Sequence, residues 1–352
     1  MARDKETSRA LPPENQPSHA LSRLDRKDKG IIYELEQNSR RSLGEIAKKL
    51  RLSKQTLHYR IQRLVTAGVV GAFITAIDSS SLGYVNHEVW IQLNEINLER
   101  KKAFLDFLIA HPNTRWVASC GGKFDLVVAI LAENLVQFNS IFKAILRKFP
   151  GYVKNHYISI SSELYNYPRT HLVTNDAGGG RGTDKERKAA ILGGEQKKIE
   201  LDEADLAILG MLSKNARIET IKIAQKVGIA PNTVRTKIRR LEKEGVIQGY
   251  TVLTQPSKMD LQNYEILVNT QNLTEEKEKE LESFCLFKDN VTFLLKVVGK
   301  WDLDIAFDAW SSTEFQKFLT GFRSRFADII KEFEYVPILY VHKFDYFPMR
   351  KG

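Results

Sequence analysis

The feature that most constrains this chain is a tandem repeat. Leu24-Asp25, Asp28, Ile31, Leu35, Asn38 and Arg40 return in type and spacing as Leu201-Asp202, Asp205, Ile208, Leu212, Asn215 and Arg217, an offset of 177 residues. At the same offset Ile46-Ala47 meets Ile223-Ala224, Thr56 meets Thr233, Arg63-Leu64 meets Arg240-Leu241, and Gly68-Val69 meets Gly245-Val246. Further on, Gly122-Lys123-Phe124-Asp125-Leu126 meets Gly299-Lys300-Trp301-Asp302-Leu303. So many matches at one spacing mean that a whole unit has been duplicated. The register slips only near the end of each unit, where Pro168 aligns better with Pro348. Between the copies, Leu172 to Glu200 holds Gly178-Gly179-Gly180, Gly182 and Gly193-Gly194 among Lys, Arg and Glu, which predicts a flexible linker.

Each unit changes character once. Leu24 to Phe73 carries eleven basic residues against five acidic, and Leu201 to Tyr250 nine against six. The second halves are net +3 (Tyr84 to His171) and net −3 (Leu261 to Gly352), so the chain's +10 is concentrated in the first fifty residues of each copy. Such a charge suggests a polyanionic partner. With 43% apolar and 27% charged residues and a mean hydropathy of −0.31, most of the chain is expected to fold. The first twenty residues lack an apolar core of the signal-peptide kind, and no run of about 18 apolar residues occurs, so a cytoplasmic chain without membrane contact is expected. Cys120 and Cys285 lie far apart, the seven histidines show no paired ligand spacing, and no G-x-S-x-G occurs, so neither a metal, a cofactor nor a catalytic nucleophile is expected.

In the basic segment, Ile31, Ile32 and Leu35 recur at helical spacing, Asn38-Ser39 interrupts, and Leu43, Ile46, Ala47 and Leu50 restart the pattern. Ser53 then stands as an N-cap before a third helix with the stripe Leu57, Ile61, Leu64, and Gly68 supplies the stop. Two helices joined by about four residues, the second amphipathic and basic outside, form a helix-turn-helix whose second helix fits the DNA major groove. Val69 to Ala76 reads as a strand of a small wing. Lys54, Gln55, His58, Tyr59 and Gln62 point outward on the third helix and suit base edges, while Arg60 and Arg63 on its flank suit phosphate oxygens. The second copy puts Pro231 at the first helical position and offers Asn232, Arg235, Lys237, Arg239 and Arg240. The two heads are therefore chemically unlike. A solvated basic helix face in an ordinary helical domain would show similar residues once; the same stripe and stop shown twice favours DNA binding.

The second half of each unit alternates in strand and helix runs in the order βαββαβ, from Val85 to Leu164 and again from Tyr264 to Tyr340. A four-stranded antiparallel sheet with both helices on one side leaves the other side needing a partner sheet.

These residues together, Leu-Asp-x-x-Asp-x-x-Ile, Asn-x-Arg, Ile-Ala, Thr56, Arg60-x-x-Arg63-Leu64, Gly-Val, then βαββαβ with Gly-x-(aromatic)-Asp, resemble the Lrp/AsnC (feast/famine) transcription regulators. The resemblance covers both copies. It implies an α+β chain of two winged helix-turn-helix domains and two βαββαβ ferredoxin-like effector domains in tandem. The expected boundaries are a disordered tail at 1–23, winged helix-turn-helix 1 at 24–76, effector domain 1 at 84–171, linker at 172–200, winged helix-turn-helix 2 at 201–254 and effector domain 2 at 261–350. It further implies binding to double-stranded DNA, dimerisation and higher homo-oligomers through the effector domain, and an amino-acid effector near the Gly-x-(aromatic)-Asp loop. Carried over, that loop is Gly122 to Asp125 and Gly299 to Asp302, with Asp125 or Asp302 accepting from a ligand ammonium. Where the family carries Thr hydroxyls near the last strand, this chain has Asn155 and Tyr157, and Phe333 and Tyr335. The alternative is that the two glycines only turn the chain and the aspartates satisfy turn amides. With the linker, a duplicated chain is expected to be its own pseudo-dimer. The siroheme decarboxylases also look like this family, and a DNA-free scaffold is the third reading; the retained basic helices favour a non-enzyme.

Overall fold

The computed structural model describes residues 24–94, 97–174, 189–194 and 198–347. The expected tail, 1–23, lies outside them, as do 175–188 and 195–197 of the expected linker and 348–350 of the second effector domain.

The first unit runs α1 (Arg26–Gln37), α2 (Leu43–Leu50), α3 (Lys54–Thr66), β1 (Val70–Ile77), β2 (Val85–Leu93), α4 (Leu98–Ala110), β3 (Thr114–Cys120), β4 (Leu126–Ala132), α5 (Leu135–Lys148), β5 (Val153–Asn166) and α6 (His171–Thr174). After β6 (Ala190–Gly193) the second unit repeats the order as α7 (Glu203–Lys214), α8 (Thr220–Val227), α9 (Pro231–Lys243), β7 (Ile247–Thr254), β8 (Gln262–Thr270), α10 (Glu275–Leu286), β9 (Val291–Gly299), β10 (Leu303–Ala309), α11 (Ser312–Arg325) and β11 (Ile330–Phe344).

Alternation along the strands decides the layers. Val89, Ile91 and Leu93 of β2 pack with Phe104, Leu108, Phe138 and Phe142 of the helices, and in the second unit Ile266, Val268, Ile305 and Phe307 pack with Phe315, Phe318 and Phe322. The opposite faces of the two sheets meet each other through Trp90, Phe124, Val127, Leu267, Leu295 and Trp301. The face that each sheet leaves uncovered by its own helices is thus covered by the other copy.

The copies also share strand edges. β5 bonds to β2 of its own unit and to β9 of the other, and β11 bonds to β8 of its own unit and to β3 of the other. The eight strands therefore close a circuit β2-β4-β3-β11-β8-β10-β9-β5 and back to β2, with β6 added on β5. Closure leaves none of the eight with a free edge along its whole length. At one crossing the approach is tight: Gly299 has φ +156, and a Cβ there would sit 2.3 Å from the Ile158 carbonyl oxygen. Gly122, its counterpart with φ +80, has open space around it, so the two seams are not equivalent.

The structure gives the expected wing strand a partner and corrects the expected linker. The wing of each unit is a single strand whose partner comes from the other copy: β1 and β7 pair antiparallel, Phe73 opposite Val252 and Thr75 opposite Tyr250. The stretch Leu172 to Glu200 is not linker throughout. Leu172 is buried in the first helix-turn-helix core, and Ala190–Gly193 pairs with the C-terminal half of β5 while Leu192 packs into the second helix-turn-helix core. The apolar run Ala189-Ala190-Ile191-Leu192 finds there the strand edge that β2 leaves free beyond Ile160.

Candidate nucleic-acid interface

Local chemistry builds each reading helix. Ser42 and Glu45 form a capping box on α2, and Ser53 Oγ accepts the Thr56 amide at 3.0 Å to start α3. Between them Arg51 takes the left-handed conformation, φ 52, where the second copy has Gly228, φ +75. α9 starts with Pro231 after Ala230, which offers no side-chain cap. Leu57, Ile61 and Leu64, and Val234, Ile238 and Leu241, are buried as the stripe requires. Lys54, Gln55, His58, Tyr59 and Gln62 are exposed on α3, and Asn232, Arg235 and Arg239 on α9. Arg235 Nη1 donates to Asn232 Oδ1 at 3.2 Å, so these two act as a unit.

The flanking bases are committed elsewhere. Arg60 Nη1 contacts Asp25 Oδ2 at 2.7 Å and Asp28 Oδ1 at 2.8 Å, and Arg63 bonds the second oxygen of Asp28, which is fully buried. Lys237 contacts Asp202 at 2.5 Å and Asp205 at 3.2 Å, and Arg240 also bonds buried Asp205. Asp28 and Asp205 are at once the third residue of a capping box and the anchor of helix three. Arg60 and Arg63, expected to suit phosphate oxygens, are thus also ion-paired within the unit, and Lys237 and Arg240 share that pairing. Sequence reasoning saw the repeated Asp but not its partners, which lie 32 and 35 residues away. Ion pairing holds the Asp202 carboxyl down at about 2, with Lys237 the main cause.

The repeated Asn-x-Arg motif also finds its purpose. Asn38 Oδ1 accepts the Arg40 amide, and Arg40 Nη1 then donates to the Ala216 carbonyl of the other unit at 2.9 Å while lying 5.0 Å from the Tyr250 ring centroid. Arg217 reciprocates over Phe73, 5.2 Å from its centroid, and reaches the Arg41 carbonyl at 3.4 Å. Thr75 Oγ1 adds a bond to the Leu212 carbonyl, and Ser39 N one to Tyr250 O. The shared ribbon thereby clasps the first helix of both units and fixes one reading helix relative to the other.

The proposed effector loops are placed differently. Asp125 Oδ2 accepts the Leu93 amide at 2.7 Å, and Asp302 Oδ2 accepts both the amide and the hydroxyl of Thr270. Gly122 and Gly299 turn the chain just before them. A separate cavity of about 1310 Å³ lies under the ribbon, lined by Ile74, Tyr250 and Thr254 above and by Arg115, Glu88 and Glu265 below. Among the described residues no helix is long and apolar enough to cross a membrane, and no His, Cys, Asp and Glu group is arranged to hold a metal ion.

This architecture, two helix-turn-helix units on one closed βαββαβ double sheet, defines a class that comparison makes specific. The winged helix-turn-helix DNA-binding family model matches residues 24–70 and again 201–248. The leucine-responsive regulatory proteins of Salmonella typhimurium (strain LT2) and Escherichia coli (strain K12) are each 33% identical over 108 residues, 28% of this chain and 66% of theirs. The match thus spans just under two thirds of those relatives. Over 91% of this chain and 93% of the other, the fold is similar to the siroheme decarboxylase NirDL, with a TM-score of 0.57 at 12% identity, a likeness of fold alone. The chain thus carries the winged helix-turn-helix DNA-binding unit twice and is similar to the leucine-responsive regulatory proteins.

Proposed function

We propose that the chain is a cytoplasmic transcription regulator that binds double-stranded DNA sequence-specifically through two non-identical reading helices, and that it is not an enzyme. One observation carries the reading: on both α3 and α9 the apolar stripe is buried and the flanking bases are tied to the first helix, leaving outward two chemically different polar sets, Lys54, Gln55, His58 and Gln62 against Asn232, Arg235 and Arg239. Two unlike half-sites about one helical turn apart follow. One chain acts as a pseudo-dimer, and any higher species are built from whole chains. Amino-acid sensing through Asp125 or Asp302 is disfavoured, because each already serves a strand amide.

The decarboxylase reading is disfavoured by the lining of the large cavity. No histidine is among its described lining residues, and its cations Arg169 and Lys296 are already paired with acids, Arg169 with Glu36 and Asp308 and Lys296 with Glu163, Glu278 and Glu282, which leaves few groups to hold a polycarboxylate tetrapyrrole. Titration of a labelled duplex at several salt concentrations tests the proposal: the logarithm of the binding constant is expected to fall linearly with the logarithm of salt. Replacing Lys54 and Arg239 should flatten that slope by about one for each phosphate no longer neutralised. Flat salt dependence in the unaltered chain would leave the scaffold reading standing instead.

A further inference from the structure

The 177-residue offset also places Asn86-x-Glu88 on β2 and Asn263-x-Glu265 on β8, which stand opposite one another in the eight-strand circuit. Because β2 and β8 give Val89 and Ile266 to the helix layers, Glu88 and Glu265 point to the inside, as do Trp90 and Leu267. Both carboxylates are almost fully buried, 5% and 1% exposed, and both line the cavity under the ribbon. Asp304, 2% exposed, stands beside Glu265 from the adjoining strand β10. Oε2 of Glu88, Oε2 of Glu265 and Oδ1 of Asn86, all on cavity-lining residues, have no hydrogen-bond partner.

Buried acceptors without donors are costly, by about 1 to 3 kcal/mol each and more when charged. Three of them, on residues that line one cavity from two opposed strands, define a complementary ligand. It must bring N–H donors, and it must bring positive charge. The neighbouring cation, Arg115, is itself spread over the rings of Phe344 and Tyr346. We infer that the cavity between the β1-β7 ribbon and the barrel binds a small organic cation carrying N–H donors, of the amine or guanidine class, held between Glu88 and Glu265. Burial, reinforced by the neighbouring acids, pushes the carboxyls of Glu88 and Glu265 up to about 8 and that of Asp304 well above its ordinary value. Seating the cation therefore displaces protons from this cluster. The site is separate from the Gly-x-(aromatic)-Asp loops, and its existence does not depend on DNA binding. Its ceiling includes Tyr250, the ring on which Arg40 rests, so an occupant touches the clasp that orients the reading helices.

Calorimetry of the full-length chain with putrescine, spermidine and agmatine tests this, in buffers of differing ionisation enthalpy. Saturable binding is expected for at least one probe, with net proton release near neutral pH, and with affinity at least about tenfold weaker in Glu88→Gln and in Glu265→Gln. These substitutions keep shape and replace a buried ionisable carboxyl by a neutral amide, so the fold should persist; thermal melts check it, and either single variant suffices if the double one fails to fold. Binding unchanged by both substitutions, equal binding of tetramethylammonium, which has no N–H, or no heat from any probe at millimolar concentration each overturns the proposal.

Discussion

Arg40 rests on Tyr250, and 177 residues later Arg217 rests on Phe73, so that each unit grips the wing strand of the other. The interaction is reciprocal because the same motif occupies both positions and β1 and β7 run antiparallel. Replacing both arginines with Ala should leave each helix-turn-helix folded but loosen one head against the other. Affinity for a duplex with both half-sites is expected to fall at least about tenfold, since the second head then binds without its high effective concentration. Affinity for a single half-site should scarcely change, and comparison of the two duplexes checks it.

The buried Asp28 predicts a different phenotype. It holds Arg60 and Arg63 and completes a capping box, so Asp28→Ala removes the Arg63 ion pair, leaves Arg60 to Asp25 alone and should cost about 2 to 3 kcal/mol. Asp205→Ala should act alike on the second unit through Lys237 and Arg240. Asp25→Ala, at the half-exposed end of the same network, should cost about 1 kcal/mol as a lost cap. Urea unfolding midpoints of the three variants test the order.

Unequal caps offer gains as well as losses. Ala230→Ser gives α9 the hydroxyl that α3 already has and should stabilise by about 1 kcal/mol, whereas Ser53→Ala should cost a similar amount. Gly228→Ala, with φ +75 and no clash around it, should cost about 1 kcal/mol from backbone conformation alone. Thermal melts read all three.

Stability should also depend on pH at both ends. The raised carboxyls of Glu88 and Glu265 stay protonated in the folded chain where the unfolded chain ionises, so their contribution is complete below about 4.5 and is lost as pH rises through about 8. Glu88→Gln with Glu265→Gln should flatten that alkaline decline. Asp202 works in the opposite sense: its stabilisation is present above about 3.8 and is lost as pH falls towards about 2. Melting temperatures of the unaltered and doubly substituted chains across this range check both signs.

What the sequence disclosed was local. The caps Ser53 and Pro231, the stripes on the third helices and the alternation of β2 and β8 are short-range signals, and each element forms close to where they place it. What escaped was the strand-to-strand pairing between the copies. Nothing in Val70–Ile77 alone says that its partner is 177 residues away rather than in its own hairpin, or that β5 and β11 extend past their own sheets to close the circuit. Arg60 looked free because its anchor, Asp28, sits a whole helix earlier. Ala190–Gly193 was missed because four residues carry no readable period and the strand exists only on the edge that β5 offers.

Selection of bound sites from a random duplex pool by the full-length chain tests the central claim, that one chain reads DNA with two unlike heads. The account predicts an enriched site made of two different half-sites about one helical turn apart, with Gln55→Ala or His58→Ala relaxing one half and Asn232→Ala the other. A strict palindrome, or no enrichment above the starting pool, would contradict it.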